Sequence, residues 1–234
     1  MAFHYSPNIV TNGLKMCIDP ANNRSYSGTG VGVYDLSPAL GITYSIVDQA
    51  SWNTSNNGTF TFPTPIGTAT ASRIESITTQ NLNTAEMTID VWFKRTVSNN
   101  SYNIIWSSFL PYFSFTSDNN FLFSWTATTQ RTLYSPKTYL NNVWYNVCCT
   151  LTQDVTSGTS IGKIYVNGVL ETTSPTYTGV TQVAIYNVYF NLGNFPGIRY
   201  PFVGNISCFK LYNRILTDSE ILDNFNALKS RFGL

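Results

Sequence analysis

Apolar residues recur at every second position along most of this chain, and at helical spacing only near its end. Leu14, Met16 and Ile18 alternate with Lys15 and Cys17, a first strand stopped by Asp19-Pro20. Met87-Thr-Ile-Asp-Val-Trp-Phe-Lys94 is the clearest strand: Ile89, Val91 and Phe93 share one face, and Thr88, Asp90 and Trp92 the other. Tyr102–Trp106, Tyr112–Phe115 and Phe121–Trp125 read as short strands separated by Pro111 and by Asp118-Asn-Asn. Val143–Leu151 is another strand, and Ile161–Thr172 is a hairpin whose Asn167-Gly168 supplies the positive φ values of a type I′ turn. Val183–Leu192 continues the pattern, residues 193–201 form a loop, and Ile206, Phe209, Leu211 and Ile215 mark a closing strand. Thr217-x-x-Glu220 is then a capping box, followed by the stripe Ile221, Leu222, Phe225 and Leu228. Lys229 and Arg231 suit the negative end of that helix, and Gly233 lies just beyond it.

Many short strands with turn signals between them predict an all-β sandwich, a jelly roll of two antiparallel sheets with one short C-terminal helix over about 218–230. Residues 1–12 read as an extended N-terminal arm and 13–234 as a single domain, since sandwiches of this length are common and no linker composition divides the chain.

Charge changes the picture by what it excludes. The net charge is +1 and only 11% of the 234 residues are charged, so there is no basic field for nucleic acid. No apolar run reaches the ~20 residues of a membrane helix. Residues 1–19 lack a charged segment leading into an apolar block, which reads as a protein made in the cytoplasm. Residues 97–117 and 172–198 carry no charge at all, as expected of strands buried on both faces or of surfaces that sit against other subunits. Cys17, Cys148, Cys149 and Cys208 have no metal-binding spacing and read as reduced, buried small hydrophobes.

Catalytic chemistry finds little to work with. His4 is the single histidine and lies in the arm, so neither a Ser-His-Asp nor a Cys-His arrangement has a base. Asp90 is one strand carboxylate; Glu86 shares its parity but stands about 13 Å away at ~3.3 Å per residue. That exceeds the roughly 5–5.5 Å and 6.5–9.5 Å separations of retaining and inverting glycosidases. Asp19, Asp35, Asp48, Asp118 and Asp154 read as turn formers. Sugar binding would instead use aromatic rings beside polar turns, for which Trp52, Trp106, Trp125 and Tyr134 are the candidates. Trp92 and Trp144, inside regular strands, are assigned to the core.

Several motifs carry a resemblance. Gly13-Leu-x-x-x-x-Asp-x-x-Asn-x-x-Ser-Tyr-x-Gly-x-Gly30 followed by Asp35-Leu-Ser37, Thr88-Ile-x-x-Trp-Phe-Lys94, Trp144-Tyr-x-Val-x-x-Thr150, Lys163-Ile-Tyr-Val-Asn-Gly168 and Gly204-Asn-Ile-Ser-x-Phe-Lys-Leu-Tyr212 recur here together. In these the chain resembles laminin-G-like, concanavalin-A-like jelly rolls of the type found in virion proteins of tailed bacteriophages. The resemblance weakens between Pro38 and Ser76, where the family's paired aspartates are missing, so calcium is unsupported and no cofactor is expected. It implies a non-enzymatic accessory virion protein, a capsid decoration or tail-associated module made in the host cytoplasm. Its partners would be other virion proteins, further copies of itself, and host-surface glycans, with no nucleic acid or membrane. The alternatives are a lectin-like adhesin module and a glycoside hydrolase of the same fold.

Overall fold

Alternation along the chain becomes strand after strand in the computed structural model, which describes residues 8–37, 41–64, 72–79, 84–97, 103–107, 111–126, 129–181, 189–194 and 201–234. The first strands are β1 (Leu14–Ile18), β2 (Gly32–Tyr34), β3 (Thr43–Val47), β4 (Ser51–Asn53), β5 (Thr59–Phe62) and β6 (Arg73–Ser76). The middle supplies β7 (Glu86–Arg95), β8 (Asn103–Ser107), β9 (Tyr112–Phe115), β10 (Phe121–Thr126), β11 (Gln130–Tyr134) and β12 (Trp144–Asp154). Then come β13 (Thr159–Val166), β14 (Val169–Thr173), β15 (Tyr177–Thr178), β16 (Asn191–Leu192), β17 (Gly204–Tyr212) and helix α1 (Asp218–Leu228).

The strands form two antiparallel sheets. The first runs β14-β13-β12-β7-β17-β5-β4, with β1 also on β17 and β15 also on β13. The second runs β11-β10-β9-β8-β16-β6-β3-β2. The hairpin at Asn167-Gly168 has the expected positive φ values, 50° and 79°. Strands β2 to β6 occupy a stretch where alternation gave little signal, because each is only three to five residues long. Of the expected strand 183–192, only residues 189–192 are described, as is only the part of the arm from Asn8 onward, so His4 lies outside the described residues. Val10 donates its N–H to Asn224 Oδ1 at 2.8 Å, which ties this end of the arm to α1 of the same chain.

Between the sheets lies an aromatic core. Phe93 of β7 makes edge contacts with Phe115, Phe121 and Phe202 at centroid distances of 5.5, 5.7 and 6.0 Å. Edge-to-face geometry of this kind adds about 0.5–1.5 kcal/mol per pair beyond burial. All four cysteines are free and buried.

Helix α1 covers the outer face of the first sheet. Thr217 accepts the Glu220 N–H, and Glu220 accepts the Thr217 N–H, completing the capping box. The helix ends at Leu228 and passes into a 3-10 turn over Lys229–Phe232. That turn matters more for packing than for the dipole. Trp92 is stacked between Phe225 (5.6 Å, 9°) and Phe232 (4.2 Å, 15°), so it is buried beneath the helix and not in the inter-sheet core. Arg231 pins the turn through Asn56 O (2.6 Å), Gly58 O (2.7 Å), Ser207 Oγ (2.7 Å) and Asp19 Oδ1 (2.8 Å).

Candidate functional site

Asp90 faces away from the inter-sheet core, into the layer beneath α1. Strand register sets Cys17, Lys210, Asp90 and Cys148 in one line across β1, β17, β7 and β12. Lys210 Nζ lies 3.2 Å from Asp90 Oδ2, and Asn146 Nδ2 donates to Oδ1 at 2.6 Å. Burial alone would lower the Lys210 pKa, but the Asp90 carboxylate beside it holds it well above its ordinary value. Burial pushes the Cys148 thiol up, so it stays protonated and unreactive. Glu86, by contrast, is exposed at the start of β7. Asp90 is therefore an ion-paired, covered carboxylate.

The tryptophans expected to stack on sugars need correction. Trp106 and Trp125 are both 0% exposed. Trp106 lies between Phe190 and Phe209 at 6.1 and 6.2 Å, and Trp125 donates its ring N–H to Ser160 Oγ at 3.1 Å. A strand beside a polar turn can still point its large side chains inward, and these do, so neither can meet a ligand. Trp52 is half-buried on β4, its ring N–H donating to Pro20 O at 2.9 Å. Tyr134 is exposed at the end of β11, which packs over β13, at the far end of the first sheet from β4. The four residues do not converge.

An open groove lies elsewhere, on the outer face of the second sheet at its β2–β3–β6–β16 end. Its volume is about 370 Å³ and its lining is Ser45, Glu75, Ser76, Ile77 and Tyr189. That falls within the roughly 300–1,000 Å³ of small-molecule sites. Alternation explains which side chains arrive there: Val33, Tyr44, Ile74 and Leu192 point into the core, so their neighbours point out.

Register then arranges the outward residues in two parallel rows. Gly32 pairs with Ser45, Ser45 with Glu75, and Glu75 with Asn191, which is itself buried, so the open part of this polar row is Ser45 and Glu75. Tyr34 pairs with Thr43, whose carbonyl accepts the Ile77 N–H at 3.0 Å, and the pairing of Ser76 with Phe190 brings Tyr189 alongside Ile77. Tyr34, Ile77 and Tyr189 in this second row are 51, 57 and 47% exposed.

Beside the polar row sits a small ion cluster. Arg73 donates twice to Glu75 Oε2, from Nε at 3.0 Å and Nη2 at 2.8 Å, and its Nη1 lies 3.5 Å from Asp48 Oδ2. Glu75 is thereby fixed in place with Oε1 left as an acceptor. Gly32 has a separate role: a Cβ there would stand 3.1 Å from the Tyr34 hydroxyl, so the missing side chain leaves room for that ring. Sequence reasoning passed over Tyr34, Glu75, Ile77 and Tyr189. The available signal was the charged-apolar alternation of Arg73-Ile-Glu-Ser76, too short to weigh alone.

Other loop carboxylates act locally. Asp35 Oδ1 accepts the N–H groups of Cys17 and Ser37, and Asp154 Oδ1 those of Thr156 and Ser157. Among the described residues no three His, Cys, Asp or Glu side chains are grouped to hold a metal ion.

A family model described as the Concanavalin A-like lectin/glucanases superfamily matches residues 67–222. The chain belongs to that superfamily. The match begins just before β6 and ends within α1, so it takes in Glu75 and Tyr189 but not Tyr34 and Ser45. No curated protein matches the concanavalin A-like chain. Among solved structures it is similar to one titled for botulinum neurotoxin type C, whose cell entry depends on interaction with two ganglioside molecules (TM-score 0.70, 19% identity, 94% of this chain and 52% of that one). It is also similar to the binding domain of botulinum neurotoxin DC in complex with SialylT (0.68, 16%, 93% and 52%) and to the type G receptor binding domain (0.66, 15%, 91% and 51%). The chain spans about half the length of these structures, and at such identity the likeness is one of fold.

Proposed function

We propose that this protein is a non-catalytic carbohydrate-binding module whose ligand lies in the groove on the outer face of the second sheet. The observation that carries this reading is the row of exposed Tyr34, Ile77 and Tyr189 beside a row of Ser45 and Glu75. A pyranose has apolar C–H faces and a rim of hydroxyls, and needs a ring to stack on next to fixed acceptors. What weighs against hydrolysis is Asp90, which is ion-paired with Lys210 and covered by the helix layer. Glycan binding by fold relatives, as their titles state it, is consistent with this reading.

The wider role rests on the resemblance of the sequence motifs. The module serves as an accessory virion component of a tailed bacteriophage, on capsid or tail, oligomeric and adhesive toward host-surface glycans. A glycan array comparing the native chain with Tyr189→Ala tests the binding: retention by native protein only is expected, and equal retention by both overturns the site. Mass spectrometry of purified particles tests the virion role, which absence of the chain from them would refute.

A further inference from the structure

Arg95, the last residue of β7, is 1% exposed and meets no carboxylate. Every Asp and Glu of the chain lies among the described residues, and none is paired with it. From this unbalanced cation we infer a binding site for a carboxylate supplied from outside the chain, at the end of the sandwich beneath the β9–β10 and β11–β12 turns. It shares no residue with the groove and stands independently of the carbohydrate reading.

Neutral acceptors alone hold the guanidinium. Nε donates to Asn141 Oδ1 at 2.7 Å, and Nη2 donates to Asn119 Oδ1 at 2.6 Å and to Tyr139 O at 3.4 Å. Nη1 is buried and has no acceptor. Arg73, Arg214 and Arg231 make the contrast: their side chains are 14, 23 and 9% exposed, and each meets a carboxylate. Burying a charge without a counter-charge is costly. Burial pulls the Arg95 pKa down to about 10, which still leaves the group charged at neutral pH. An anion arriving here meets a cation already stripped of water, with donors to spare.

Geometry narrows the anion. The Phe115 ring lies against the guanidinium, 3.9 Å from Arg95 Cζ to the ring centroid, so one face is closed and the plane of the group is the direction of approach. A carboxylate is planar, and its two oxygens match two guanidinium N–H groups side by side. It would take Nη1 and share Nη2 in place of the long bond to Tyr139 O. Access comes from the turns. Asn119 and Asn141 are half-buried, and Leu140 and Asn142 beside Asn141 are exposed, so the guanidinium lies one side chain below solvent. A small free acid and the uronic acid of a sugar both offer the same group.

The experiment titrates the native full chain at neutral pH and fixed ionic strength with sodium acetate, sodium glucuronate and sodium sulfate, each balanced against chloride. Melting midpoint and calorimetric heat are read together. The expected result is a saturable rise in midpoint of about 3–6 °C at about ten times the dissociation constant of the carboxylate. Tighter binding of glucuronate than of acetate marks a sugar acid as the source, and the reverse order marks a small free acid. Arg95→Met should remove the saturable response, and Arg95→Lys, which keeps the charge without the fork, should weaken it about tenfold. If Arg95→Met does not fold, nuclear magnetic resonance of the native chain decides, since the Arg95 Nε–H signal must then shift with acetate at the same midpoint as the heat. A response that stays linear, one that survives in Arg95→Met, or an Arg95 signal that acetate leaves unmoved overturns the site. Saturable binding of sulfate tighter than that of either carboxylate overturns the assignment of the ligand.

Discussion

Lys210 and Asp90 face each other across β17 and β7 with Nζ 3.2 Å from Oδ2, their side chains 0% and 2% exposed. Two charges so deep are costly unless each satisfies the other, and Asn146 takes the remaining carboxylate oxygen. Removing one partner strands the other. Lys210→Met or Asp90→Leu alone should therefore destabilise the fold by about 3–5 kcal/mol, and the double variant should recover much of that loss. Urea denaturation checks the cycle. If Asp90→Asn instead abolished a measurable glycan-cleaving activity in a stable protein, the structural assignment of Asp90 would fail.

A second ion pair, at the start of α1, is nearer the surface and has a visible pH signature. Arg214 donates to Glu220 through Nη1 at 2.8 Å and Nη2 at 2.5 Å, and with the Thr217 N–H this holds the Glu220 carboxyl down to about 2. A carboxyl with a depressed folded pKa contributes stability that is complete above its unfolded pKa, about 4.3. That contribution is lost as pH falls from there towards 2. Glu220→Gln should thus narrow the native-to-variant gap in denaturation midpoint between pH 5 and pH 2.5, pH values spanning about that window. Thr217→Ala removes the cap itself and should cost about 0.5–2 kcal/mol at neutral pH.

The same α1 shows what could be read from sequence. Its capping box joins residues three apart and its apolar stripe residues four and seven apart, so the helix was legible; so were β7, β12 and the β13–β14 hairpin, where alternation runs long enough to be unambiguous. Alternation says that a strand has two faces but does not say which partner covers each. That is why Trp106 and Trp125, beside polar turns, read as accessible yet fill the inter-sheet core. The groove was illegible for a different reason: Tyr34, Ile77 and Tyr189 come from segments far apart in the chain and share a row only through the pairing of four strands.

Trp125 also explains a glycine. A Cβ at Gly162 on β13 would stand 2.7 Å from the Trp125 ring, closer than any packing tolerates. The φ at Gly162 is not in the left-handed region, so the constraint is volume and not backbone conformation. Gly162→Ala should cost about 1–3 kcal/mol by overpacking. Smaller rings at position 125 should relieve it, so Trp125→Phe combined with Gly162→Ala should be more stable than the sum of the two single changes predicts. Thermal or chemical denaturation of the four proteins measures that coupling.

Trp125 and Tyr189 should therefore separate stability from binding. Trp125 is wholly buried and truncating it to Ala opens a large cavity, for an expected loss of about 3–5 kcal/mol. Any binding defect in that variant should scale with the fraction unfolded and disappear at low temperature or with stabilising osmolyte. Tyr189 is half exposed at the groove, so Tyr189→Ala should shift stability by only about 0.5 kcal/mol. Its glycan binding should nonetheless fall about tenfold, since the lost stacking surface has no substitute. Melting midpoints set beside array signals for both variants decide the matter: if Trp125→Ala proves stable but loses binding while Tyr189→Ala keeps it, the ligand sits in a different part of the sandwich from the groove described.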